Sequence, residues 1–268
     1  MYNYRSSTET IVATTAQTIT HDKGMPSDGP LRRFTVVNTG TNNSIAGSGV
    51  DSYVMKLNSY ELVRCSPAQL RALLEALIGP IGGTVPATGD LNWTFPWDLY
   101  VPSGEIGLPT GKPSMEINLN AANSSAGTSR LGWLYAERAP SFVPRFVRQQ
   151  MDIGASASGL PFDIKTGKGK KVLGFCLPMV SATGITRIRL VRRNPETGQD
   201  QQIFYGERAD ILESQRHYNP EAITNPFFWK PPVLVDYPEG SVLETWTGAA
   251  SATTDEIVPL VLEPVGGA

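Results

Sequence analysis

The sequence predicts an all-β chain of two similar sandwich domains, each interrupted by one short helix, and three observations carry that expectation. Short runs of alternating, β-branched or aromatic residues recur along the whole chain. Clusters of Gly, Pro, Asn, Ser and Thr separate them, as at 39–48, 79–89 and 154–161. The order of elements around the two helical segments is the same in both halves.

The first half opens with strand runs at 33–38 and 53–57. A helix follows at 66–78, because Ser66 is a natural N-cap, Pro67 suits the first helical position, and Leu70, Leu73, Leu74 and Leu77 form one apolar stripe. Gly79 and Pro80 end it. An aromatic strand at 93–97 comes next. It is followed by Met115, Ile117 and Leu119, which alternate with Glu116, Asn118 and Asn120, and by a last strand at 131–135. The second half repeats this plan. Strands at 171–177, 186–191 and 202–205 lead to a helix at 207–217 centred on Ile211 and Leu212, then to an aromatic strand with Phe227, Phe228 and Trp229, and to strands at 241–246 and 257–262. Identity between the halves is slight, so the repeat is one of architecture. With a joint near 137–141, the chain divides into an N-terminal arm at 1–10, a first domain at 11–139 and a second at 140–268.

Composition narrows the function. The 268 residues suffice for two modest domains with a full core and no staples. Lys and Arg number 23 against 25 Asp and Glu, so the chain lacks the cationic excess that a direct nucleic-acid partner demands. Charged residues are only 18 %, while 26 Gly and 21 Pro mark a loop-rich β protein with part of its surface committed to partners. Residues 1–17 are polar and do not read as a secretory signal, and no run reaches the roughly 18–20 apolar residues of a membrane helix. Cys65 and Cys176 could pair but read as buried thiols.

No constellation for catalysis can be named, so the expectation is a protein that is not an enzyme. His21 and His217 are the only histidines, too few for a poly-histidine metal site, and each reads as a surface or hydrogen-bonded residue. Gly111-Lys112 and the Lys168–Lys171 run lack phosphate-loop spacing. Glu116 and Glu244 lie in different halves, with nothing in the sequence to set their separation. No cofactor is expected, and a structural calcium ion is not readable from these residues. Arg187, Arg189, Arg192 and Arg193 form a basic strand end. It reads as an intersubunit salt-bridging face, with nucleic acid or lipid headgroups as the alternative. Trp93, Trp97, Phe227, Phe228 and Trp229 read as core or subunit-interface residues beside the helices, with a sugar site as the alternative.

Two sandwiches of this size, each with a helix late in its strand order, resemble the double jelly-roll major capsid proteins of tailless icosahedral viruses with an internal membrane. The segment Ala139-Pro140-Ser141-Phe142-Val143-Pro144-Arg145-Phe146 and the run Ser181-Ala182-Thr183-Gly184-Ile185 are most similar to the short capsid proteins of corticovirus-like and related bacteriophages. The resemblance spans about residues 10–265. It implies two tandem eight-stranded jelly-rolls, a homotrimer forming a pseudo-hexagonal capsomer, and contacts with neighbouring capsomers and with minor capsid and vertex proteins. It further implies synthesis in the host cytoplasm, a place in the virion capsid, and an internal lipid membrane beneath. The short loops depart from members that carry large towers. Met1, Tyr2, Tyr4 and Arg5 combine aromatics with a cation, which suits an arm touching that membrane, or an ordinary tail. The alternatives are a minor capsid or vertex protein, and a two-domain carbohydrate-binding β-sandwich.

Overall fold

The period-two strand of the first half forms as its residues dictate. Met115, Ile117 and Leu119 turn inward and are buried, while Ser114, Glu116 and Asn118 on the other face are half-exposed. The computed structural model describes residues 7–22, 29–40, 49–78, 93–96, 100–101, 104–122, 126–136, 138–147, 149–150, 160–163, 170–178, 184–216, 227–231, 235–236, 241–247 and 256–266.

The first half contains β1 (Ser7–Ile11), β2 (Gln17–His21), β3 (Leu31–Gly40), β4 (Val50–Leu57), β5 (Tyr60–Cys65), α1 (Pro67–Ile78), β6 (Trp93–Pro96), a small ribbon of β7 (Tyr100–Val101) and β8 (Gly104–Glu105), β9 (Pro113–Leu119) and β10 (Gly127–Tyr135). The second half contains β11 (Phe142–Val147), β12 (Gln149–Gln150), β13 (Leu160–Asp163), β14 (Lys171–Leu177), β15 (Ile185–Arg193), β16 (Asp200–Glu207), α2 (Arg208–Arg216), β17 (Phe227–Trp229), β18 (Val235–Asp236), β19 (Val242–Thr247) and β20 (Glu256–Pro264).

Strand order shows the same plan twice. The first half pairs β1-β10-β3-β6 and β2-β9-β4-β5, and the second pairs β11-β20-β14-β17 and β13-β19-β15-β16. The short β12 and β18 extend the second set beside β20 and β14. Numbering the main strands of either half in chain order gives 1-8-3-6 in one sheet and 2-7-4-5 in the other. That is the antiparallel double Greek key of a jelly-roll. Each helix follows strand five and precedes strand six. The halves are joined edge to edge, since β11 also lies parallel to β5, with Phe146 opposite Val63 and Val147 opposite Arg64.

The N-terminal arm expected at 1–10 is shorter than that. Ser7–Ile11 pairs residue for residue with Leu131–Gly127 of β10, so 7–10 belong to the first sandwich. Its Thr residues alternate about one acidic side chain and one buried Ile, a pattern too sparse to read as a strand from sequence. The second helix is also trimmed: Glu207 ends β16, and His217 lies outside the described residues.

α1 is fixed at its start by reciprocal capping. The Ser66 N–H donates to Gln69 Oε1 at 2.8 Å, and the Gln69 N–H donates to Ser66 Oγ at 3.2 Å. Leu70, Leu73 and Leu74 are buried, as is Ala72. The β4–β5 hairpin turns at Asn58 and Ser59, both with positive φ, which is the turn whose twist matches its strands. Asn58 Oδ1 then accepts the Lys112 N–H at 2.8 Å, tying this turn to β9's start.

Among the described residues the apolar side chains form two clusters. One contains the first sandwich (Tyr53, Met55, Ile117, Leu131), α1, and also Phe146, Leu173, Cys176, Phe228, Val258, Leu260 and Leu262 from the second half. The other fills the second sandwich with Val172, Phe175, Ile188, Leu190, Trp229, Leu243, Ile257 and Val261, closed by Ile211 of α2. Neighbours along β14 and β20 therefore point into different cores. This explains why β14, β17 and β20 read as continuous apolar runs, as expected of a sheet covered on both faces. Close packing here depends on Gly174, where a Cβ would stand 2.6 Å from both a Phe228 ring atom and the Trp229 carbonyl oxygen.

Candidate functional site

Among the described residues, surfaces open to partners include the outward faces of the 2-7-4-5 sheets, the outward face of β1 and β10, and the edge strands. The 2-7-4-5 face of the first half is a polar mesh. Lys56 pairs with Glu116 across β4 and β9, and Arg64 forks onto Glu61 at 2.6 and 2.9 Å, which raises the Arg64 pKa. Beside them the Thr18 hydroxyl donates to Asn118 Oδ1 at 2.8 Å, and Asn118 Nδ2 donates to Ser52 Oγ at 2.9 Å.

The equivalent face of the second half carries the predicted arginines. Arg187 stacks its guanidinium 4.4 Å from the Trp246 ring centre and 5.7 Å from that of Tyr205, and Nη1 donates to the Tyr205 hydroxyl at 2.9 Å. Arg189 pairs with Glu244 at 3.2 Å, the counterpart of Lys56–Glu116 because both join strand four to strand seven. Tyr205 remains 50 % exposed and meets Trp246 edge-on at 6.4 Å. Arg192 lines an open cleft of about 300 Å³ with Asn194, Pro195, Glu196 and Gln201. Arg193 is exposed, and its N–H donates to Ser241 Oγ at 3.3 Å. The four arginines thus share one strand but not one environment. Sequence reading missed Tyr205 and Trp246, since only cross-strand register brings them to Arg187.

The aromatic strand does not form an open platform: Phe227, Phe228 and Trp229 are all buried. Trp229 stacks on Phe175 at 6.1 Å and meets Phe204 at 4.9 Å. The Trp93 side chain and all of Trp97 lie outside the described residues, as do Met1, Tyr2, Tyr4 and Arg5.

The junction between halves holds a second unforeseen cluster. Arg145 of β11 lies 5.4 Å from the Tyr60 ring centre, and Glu263 of β20 accepts from Lys170 at 2.8 Å and from the Tyr60 hydroxyl at 3.4 Å. It ties β5, β11 and β20 together.

His21 is buried between the sheets of the first sandwich, sharing a 2.9 Å hydrogen bond with Ser129 Oγ. Burial lowers its pKa, against the opposing pull of Glu9 and Asp22. Cys65 and Cys176 are buried thiols of one core cluster; burial pushes the Cys176 pKa well up, and nearby Cys65 adds to the effect. Among the described residues no group of three or more His, Cys, Asp or Glu is placed to hold a metal ion, and no helix is long and apolar enough to cross a membrane.

No protein-family profile and no curated protein sequence matches this chain. Solved structures do. The STIV major capsid protein, from Sulfolobus turreted icosahedral virus, superposes with a TM-score of 0.62 at 13 % identity, covering 97 % of each chain. The major capsid protein P2 from bacteriophage PM2 gives 0.62 at 11 % identity, covering 98 % of this chain and 100 % of that one. VP54 of PBCV-1 gives 0.50 at 8 % identity over 97 % and 94 %. The chain has the double jelly-roll fold of these viral major capsid proteins.

Proposed function

We propose that this protein is the major capsid protein of a tailless icosahedral virus, three copies of which form a pseudo-hexagonal capsomer. The observation that carries the reading is the doubled 1-8-3-6 and 2-7-4-5 strand order joined through β11. Such a chain presents two like sandwiches side by side, so three copies offer six, the number a hexagonal tile needs. Its role is structural: it tiles a shell by lateral contacts, each modest and many times repeated.

Electron microscopy of the purified protein tests this. Three-copy tiles with six lobes, closing into shells at high concentration, are the expected result; single two-lobed particles at every concentration would overturn it. Single particles binding a glycan array would instead support the carbohydrate-binding alternative, and single particles joining only a five-fold complex would support the vertex protein.

The internal membrane belongs to the same proposal. Residues Met1, Tyr2, Tyr4 and Arg5 are its candidate contact, through aromatics that suit an interface and a cation that suits anionic headgroups. Flotation with anionic vesicles should be lost when residues 1–6 are removed, and equal flotation of both forms would end that part of the reading.

A further inference from the structure

The outward faces of the two 2-7-4-5 sheets share a topology and differ in chemistry. On the first half Lys56 and Arg64 each meet a carboxylate, and the row beside them is a polar mesh of Thr18, Asn118 and Ser52. On the second half Arg189 meets Glu244 in the same way. Arg187 does not: among the described residues no carboxylate pairs with it. Its guanidinium is held by two rings instead, 4.4 Å from the centre of Trp246 and 5.7 Å from that of Tyr205, with Nη1 donating to the Tyr205 hydroxyl at 2.9 Å. The fold does not require this arrangement, because the first half builds the same sheet without it. Tyr205 is also left 50 % exposed on that face.

We propose that this face binds an acidic sugar residue, a pyranose carrying a carboxylate, such as a uronic or sialic acid unit of a glycan. Arg187, fixed in place by the rings, receives the carboxylate on its remaining N–H donors. Tyr205 offers a flat apolar surface to the C–H face of the pyranose. Glu207, opposite Arg187 on β16, and Glu244, one row further along the sheet, accept from the sugar hydroxyls. One uncompensated cation, one open ring and two flanking carboxylates thus match a ligand with one carboxylate, an apolar face and several hydroxyls. The assignment stands independently of the assembly reading.

A single-stranded nucleic acid fits this face less well. The guanidinium occupies one face of Trp246, and the two rings meet edge-on at 6.4 Å, so they form no stacked platform for successive bases. Glu207 and Glu244 would also repel a run of phosphates.

Calorimetric titration of the full-length protein with methyl glucuronide and with sialyllactose, against methyl glucoside as the neutral control, tests the assignment. The acidic probes should bind at least about tenfold more tightly than the neutral one. Arg187→Ala should lose about tenfold or more of that affinity, and Arg187→Lys nearly as much, because an ammonium cannot offer the planar fork. Tyr205→Ala should weaken binding more than Tyr205→Phe, which keeps the ring. Thermal unfolding like the wild type's shows that each variant keeps its fold, and Lys56→Ala, on the first half's face, should bind as the wild type does. Equal affinity for acidic and neutral probes, wild-type affinity in Arg187→Ala, or no binding of any probe overturns the site and leaves the capsid reading standing. Two further outcomes overturn it by naming another partner: a short thymidine oligonucleotide bound in place of the sugars, or an assembly that Arg187→Ala dissociates while no sugar binds. Sugar binding by a chain that never forms tiles supports the site and overturns the capsid reading.

Discussion

The 1-8-3-6 sheets of the two halves share one topology and differ in what covers them. In the second half, β20, β14 and β17 are covered on both faces, by their own sandwich on one side and by α1 with the first core on the other. In the first half the outward face of β1 and β10 carries threonines and an exposed arginine. The helices differ in step: α1 buries a leucine stripe, while α2 buries Ile211, half-buries Leu212 and turns acidic residues outward. Strand order sets where elements sit, and side-chain polarity then sets which contacts are permanent. An apolar contact locks the halves of one chain together.

The sharpest way to break this comparison is to truncate one leucine in each helix. Leu73→Ala should destabilise the chain by roughly 2–5 kcal/mol, because it opens a cavity between the two halves, whereas Leu212→Ala should cost about 1 kcal/mol, being only half-buried. Urea unfolding of both variants measures this, and equal losses would mean that α1 is not the covering element. Gly174→Ala comes next, at roughly 1–3 kcal/mol, since the added methyl collides with Phe228 and a backbone oxygen. A measured loss near zero would show that β14 and β17 approach less closely than described. Ser66→Ala should remove about 1 kcal/mol by uncapping α1, with Ser66→Asp retaining most of it.

The smallest effect expected is a pH dependence from His21. Its folded pKa lies below the unfolded value near 6.5, so the folded chain binds fewer protons. The stability it contributes is fully present above about pH 6.5 and is lost as pH falls toward the folded value. Thermal unfolding between pH 7.5 and 5 should show this fall in the wild type and less of it in His21→Gln. An identical pH profile in both would place the titration elsewhere.

Much of the plan was legible because certain elements carry their own signature. Met115, Ile117 and Leu119 announce β9, and Ser66 with Pro67 announces α1, although the capping partner Gln69 went unread. β1, β2 and β13 were not legible. Their exposed threonines, or Pro161, dilute the apolar alternation, and pairing with β10, β9 and β19 supplies what local propensity lacks. β11 was not legible as a strand, because Pro144 interrupts its alternation; its parallel contact with β5 involves only Phe146 and Val147, past the proline. Arg187 and Arg189 stood out as charges. Their partners Trp246, Tyr205 and Glu244 lie on other strands, at distances in sequence that only the register closes.

The most direct test of the central claim, that two like sandwiches in each chain make a six-lobed tile from three copies, is native mass by light scattering. The account predicts about three times the 29.0 kDa chain mass, held on dilution. A mass of one chain at every concentration would contradict the account.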